Sequence, residues 1–102
     1  MRIVISALHC EIPDVLKERA EAIVERLGQL ASRAVECTVV FANDHNAATA
    51  EVRLHVPRGK LFVAEGEGAD HRTALDRAEE KLRNQLDKVV LKPRSRAKVD
   101  LA

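Results

Sequence analysis

The sequence predicts an α+β fold with the element order β-α-β-β-β-α: a four-stranded mixed sheet with two helices packed on one face. Three observations carry that expectation. Four short stretches rich in β-branched residues alternate apolar and polar side chains, as half-buried strands do. Two longer stretches repeat apolar residues at three- and four-residue intervals, as amphipathic helices do. The last three strands are separated by turns too short for a crossover, so they must run antiparallel. A length of 102 residues, 46% of them hydrophobic, suits one compact domain with a modest core.

Residues 2–6 read as the first strand, with Ile3 and Ile5 on one face and Val4 on the other. EIPDVLKERAEAIVERLGQLASR reads as a helix in which Leu16, Ala20, Ile23, Leu27 and Leu30 share a face. Pro13 suits the first turn, where a missing amide costs nothing, and Asp14 complements the positive end of the helix. A strand–helix–strand unit joins parallel strands by a right-handed crossover. The second strand, VECTVVFA, is therefore expected parallel to the first, with Val35, Cys37, Val39 and Phe41 on one face.

NDHNAA reads as a polar turn. TAEVRLHV follows with Ala50, Val52, Leu54 and Val56 on one side and Thr49, Glu51, Arg53 and His55 on the other, which describes a sheet with one buried and one wet face. PRG marks the next turn and KLFVAEGE the fourth strand. Asp70 is the expected cap of a second helix whose apolar stripe is Leu75, Ala78, Leu82, Leu86 and Val89, and Pro93 is expected to stop it. The domain is expected over residues 1–92, with 93–102 a mobile basic tail.

Composition excludes several classes of function. No apolar run of about 18 residues is present, so no membrane-spanning helix is expected. The opening MRIVISALHC reads as a strand, not as the apolar core of a secretory signal, and the cytoplasm is the expected location. Cys37 falls on the apolar face of a strand and is expected as a buried free thiol; Cys10 offers it no CxxC partner. His9 beside Cys10 supplies two potential metal ligands, short of the four that a closed zinc site needs. His45 and His71 lie in polar turns without a nucleophile or base nearby in sequence. Asp76, Glu79 and Glu80 read as a solvated helix face. With no catalytic signature or phosphate-cradling glycine loop, neither an enzyme nor a cofactor is expected.

The net charge of +1 conceals a polarity along the chain. Residues 1–80 hold 10 Lys/Arg against 14 Asp/Glu, a balance of −4, whereas residues 81–102 hold 7 against 2, a balance of +5. Such a chain presents a positive end to an anion while staying near neutral overall. At about 100° per residue, Arg19, Arg26 and Arg33 form one stripe on the first helix. Arg77, Lys81, Lys88 and Lys92 share one edge of the second, and Arg94 and Arg96 extend the charge beyond it. Two readings of these edges stand: a surface for RNA phosphates, or basic and acidic edges of the two helices facing each other. The acid-poor end, from Lys88 onward, favours RNA. With no Tyr or Trp and only two Phe, the chain has little to stack on unpaired bases, so contact through phosphates and shape fits better.

AEVRLHVPRG, followed by AEGEGADHRTALDRAEEKLRNQLDK, resembles the ribosome hibernation promoting factors, also called ribosome-associated inhibitors. The matching elements are the LHV strand at 50–56, the acidic strand end at 65–67, the Asp-started helix opening at 70–76 and the helix end at 81–88. ISALHCEIPDVLKERA is similar to the family's first strand, turn and helix opening, so the resemblance runs from residue 1 to about 92. It implies a fold similar to a double-stranded-RNA-binding domain with an extra first strand. It also implies a short-form protein that occupies the mRNA/tRNA channel of the small subunit under stress or in stationary phase, silencing translation without chemistry. The partners would be the small ribosomal subunit and its rRNA, with no membrane involved and a monomer off the ribosome. Arg33 matches the family's arginine after the first helix, and Lys81 and Lys88 match its helix-end lysines. The family's older naming as sigma-factor modulators keeps an alternative in view: a protein-interaction module acting on a transcription or stress regulator through the acidic 1–80 region.

Overall fold

Four strands form one sheet in the order β1-β2-β3-β4. They are β1 (Arg2–Ala7), β2 (Glu36–Asp44), β3 (Ala47–Val56) and β4 (Lys60–Gly68), with α1 (Asp14–Leu30) and α2 (His71–Leu86) completing the expected β-α-β-β-β-α order. These elements come from a computed structural model that describes residues 1–31, 33–57 and 60–88. β1 pairs parallel with β2, and β2, β3 and β4 form an antiparallel meander. The expected stop at Pro93, the packing of Val89 and the tail 93–102 lie outside the described residues.

Alternation in the strands decides where the core sits. Cys37, Val39 and Phe41 of β2, Ala50, Val52 and Leu54 of β3 and Ala64 of β4 are buried on one face. Ala20, Ile23, Val24 and Leu27 of α1 and Leu75, Ala78, Leu82 and Leu86 of α2 cover that same face in a single cluster. Burying a Leu, Ile or Phe side chain is worth about 1.5–3 kcal/mol, so this cluster dominates stability. Thr49 departs from the pattern: it lies on the polar side yet is buried, a small side chain flanked in register by Ala42 and Glu67.

The ends of elements differ from the sequence reading. Pro13 stands at the cap position itself, where its carbonyl accepts from the Leu16 and Lys17 amides. The helix stops at Leu30, which is 41% exposed, and Ala31 takes the core contact instead. Val35 precedes β2 and is exposed. Four of the six residues of NDHNAA belong to strands: only His45 and Asn46 lie between Asp44 and Ala47, which pair directly. The left-handed backbone of His45, φ 57°, reverses the chain within two residues. Asp70 caps α2 as expected, its carboxylate accepting the Thr73 amide at 2.8 Å.

α2 sits unusually close to β4. A Cβ on Gly66 would lie 2.2 Å from the Ala74 carbonyl oxygen and 2.6 Å from the Ala78 nitrogen. Only a glycine lets the helix backbone rest on the strand at that point. The close approach brings the long side chains of α2 over the outer edge of β4.

Candidate nucleic-acid interface

The two helices meet through ion pairs. Arg19 donates from Nε and Nη2 to one carboxylate oxygen of Asp76, at 3.0 and 2.8 Å. Arg26 Nη2 donates to Glu79 Oε2 at 3.1 Å. Asp76 and Glu79 are therefore not the solvated face that their spacing suggested. Three residues apart on α2, both turn toward α1, and only Glu80 stays exposed. The Arg19–Asp76 pair is half-exposed on both sides, so it contributes about 0–1 kcal/mol. Glu79 is different: its side chain is 11% exposed, so Arg26 answers a largely desolvated carboxylate.

On the opposite edge of α2 the partners are backbone atoms. Arg77 Nη1 donates to the Glu67 carbonyl at 2.7 Å, Lys81 Nζ to the Glu65 carbonyl at 2.9 Å and Gln85 Nε2 to the Val63 carbonyl at 2.9 Å. The spacing explains this ladder. Four residues climb about 6 Å on a helix and two residues about 6.8 Å on a strand, so each rung of α2 meets every second carbonyl of β4. These are outward carbonyls of an edge strand, which would otherwise invite another strand.

A carbonyl satisfies a donor without neutralising its charge. Among the described residues, Arg77 and Lys81 form no ion pair with a carboxylate, and neither do Arg33, exposed in the turn after α1, and Lys88, exposed just past α2. Among the described residues Arg72 and Arg83 are further exposed cations of α2 without an ion pair, neither of them counted among the contact residues from sequence, and Gln85 was missed as the third rung. The signal for Gln85 was the four-residue interval from Arg77 through Lys81. Lys92, Arg94 and Arg96 lie outside the described residues. On the open sheet face, Arg53 pairs with Glu51 at 2.9 Å and His55 faces Glu36 at 3.7 Å, so charge there is locally compensated.

Other chemistry is sparse. His71 starts α2, its Nε2 lying 2.9 Å from the Ala42 carbonyl and its ring edge-on to Phe41 at 5.9 Å, so it is a packed residue and not a solvated one. Cys37 is a buried free thiol, pushed up to about 11 by desolvation, and Cys10 is free and half-buried. Among the described residues no group of three or more His, Cys, Asp or Glu side chains converges as a metal site would. No described helix is long and apolar enough to cross a membrane.

Comparison with known proteins bears on this geometry. A ribosomal subunit interface protein from Coxiella burnetii has a similar fold, with a TM-score of 0.80 over 89% of this chain and 99% of that one at 21% identity. The Protein Y N-terminal domain of Thermus thermophilus superposes with a TM-score of 0.73 over 87% and 99% at 28% identity. No curated protein matches the chain. The family described as Sigma 54 modulation protein / S30EA ribosomal protein matches residues 3–94. That match takes in both helices and all of the sheet except Arg2 at the start of β1, and the chain belongs to this family.

Proposed function

We propose that this protein binds the small ribosomal subunit through rRNA phosphates, occupies the mRNA/tRNA channel, and silences translation in the cytoplasm under stress or in stationary phase. The family is one of ribosome-associated modulators and not of enzymes. The observation that carries the reading is the set of uncompensated cations along the β4-side edge of α2 and beyond its end. Arg77, Lys81 and Lys88 keep their charge, with Arg33 added from the turn after α1. Lys92, Arg94 and Arg96 belong to the same proposal by their place in the sequence. Arg19 and Arg26 are ion-paired with Asp76 and Glu79, so their first share is the positioning of α1 against α2. Phe41 is buried and Phe62 half-buried, leaving no aromatic platform for bases, which suits recognition by phosphate and shape.

The test is co-sedimentation with purified small subunits over a salt series. Neutralising about five phosphates gives a log–log slope near −4. A slope near zero would remove the phosphate-contact reading. Recovery of most of the protein from lysate in ribosome-free fractions would favour action on a transcription or stress regulator instead.

A further inference from the structure

The two edges of the sheet are not treated alike. α2 covers the outer carbonyls of β4, whereas β1 has nothing comparable. Arg2 and Leu8 donate to the Val35 and Phe41 carbonyls, which fixes the even-numbered amides of β1 toward β2. In a parallel ladder the intervening residues then turn both N–H and C=O away from the partner. Those residues are Ile3, Ile5 and Ala7, and among the described residues no hydrogen bond reaches their outward groups.

This edge runs along a broken groove beside α1. A cleft of about 470 Å³ opens between Met1 and Ile3 on one side and Glu25, Gly28 and Gln29 on the other. A second, of about 350 Å³, lies farther along between Ile5 and Ala7 and the segment holding Cys10, Glu11 and Lys17. The floor is apolar, since Ile3, Ile5, Cys10 and Ile12 pack against the core. The α1 wall is acidic on balance. Lys17, Glu21, Glu25 and Gln29 succeed one another at four-residue spacing, and Glu11 faces the far cleft. None of Glu11, Glu21 and Glu25 forms an ion pair among the described residues.

We propose that the β1 edge captures an extended, basic segment of a partner protein as a fifth strand. The partner's backbone pairs with Ile3, Ile5 and Ala7. Every second side chain, Lys or Arg, lays its aliphatic stem over Ile3 and Ile5 and its charge against Glu25, Glu21 and Glu11. β1 and β4 are opposite edges of the sheet, so this surface is separate from the Arg77 and Lys81 edge of α2 and does not depend on it.

The probe is a fluorescein-labelled heptapeptide, acetyl-Thr-Lys-Val-Lys-Val-Arg-Thr-amide, titrated by fluorescence anisotropy with isotope-labelled protein followed by NMR in parallel. Binding is expected, with the Ile3, Ile5 and Ala7 amides shifting, and the same peptide with Glu at its basic positions is expected not to bind. Two N-methylated versions separate strand pairing from charge attraction, one methylated at the basic residues and one at the neutral residues. Only one set of amides can face β1, so one version is expected to lose at least about tenfold in affinity and the other to keep it. Exposed Glu21→Lys with Glu25→Lys, folded by circular dichroism, is expected to weaken binding at least about fivefold. Equal affinity of the two methylated versions, binding of the acidic peptide, or no binding at about 1 mM would each overturn the proposal. A doubling of mass in sedimentation equilibrium without peptide, with the Ile3, Ile5 and Ala7 amides shifting as protein concentration rises, would show that a second copy of the chain takes the edge, and would overturn the choice of occupant.

Discussion

Replacing Gly66 by alanine tests how tightly α2 is seated on β4. The added Cβ meets backbone atoms, at 2.2 Å from the Ala74 carbonyl oxygen and 2.6 Å from the Ala78 nitrogen, and neither can swing aside as a side-chain tip would. Restoring contacts to 3.0–3.4 Å requires the helix to lift by about 1 Å at that point. Overpacking of this kind costs about 1–3 kcal/mol. The lift also stretches the Arg77 and Lys81 rungs, now 2.7 and 2.9 Å, at about 0.5–1.5 kcal/mol each if lost. A loss of about 2–6 kcal/mol is expected if both rungs go, which is at least about 10 °C in Tm for a domain of this size. Urea unfolding followed by circular dichroism measures it, with the slope m unchanged. Gly28→Ala is the internal control. The atom nearest its Cβ is the methyl of Met1, a movable tip at 2.8 Å, and the site is inside a helix, so a gain of about 1 kcal/mol is expected. A loss below about 0.5 kcal/mol at Gly66, or equal losses at both sites, would refute the backbone-contact argument.

Arg26→Met strands the nearly buried Glu79 and is expected to cost about 1–3 kcal/mol, against at most about 1 kcal/mol for the half-exposed Arg19→Met; urea midpoints rank the two. Lys88→Glu with Lys92→Glu is expected to abolish small-subunit co-sedimentation at moderate salt while leaving the unfolding midpoint unchanged, and retained binding would move the interface elsewhere. The hydrogen bond from the Thr73 amide, helped by its hydroxyl, holds the Asp70 carboxyl below its ordinary value. Its contribution is therefore complete above the unfolded-state pKa and is lost as pH falls through the lower native one. Unfolding midpoints of wild type and Asp70→Asn across pH 2–6 should converge at the acid end. Cys37, buried and raised to about 11, should resist a thiol reagent at pH 8 until the protein is unfolded, while Cys10 reacts in the native state.

Periodicity made most of the fold legible. Ala50, Val52 and Leu54 are buried while Arg53 among them and His55 after them are exposed, because strand geometry turns residue type directly into facing. Boundaries were harder. NDHNAA has the composition of a loop, yet the ladder pairs Asn43 with Ala48 and Asp44 with Ala47, and backbone hydrogen bonds outweigh side-chain preference there. The site was legible in residue types and not in partners. A helical projection puts Arg19 on an edge, but Asp76 lies 57 positions away, and only the fold decides that the edge meets a carboxylate. The same projection placed Arg77 and Lys81 together without revealing that they lean on the carbonyls of β4.

The ladder from α2 to β4 also fixes how many neighbours the sheet can recruit. A molecule with two open edges is bifunctional, and strand pairing between such molecules propagates as fibres do. Here Arg77, Lys81 and Gln85 occupy outward carbonyls of β4, which leaves β1 as the open edge among the described residues. Two copies pairing through β1 would leave only the β4 edges facing outward, their carbonyls already occupied by side chains of α2, so in-register growth between copies would stop at the pair.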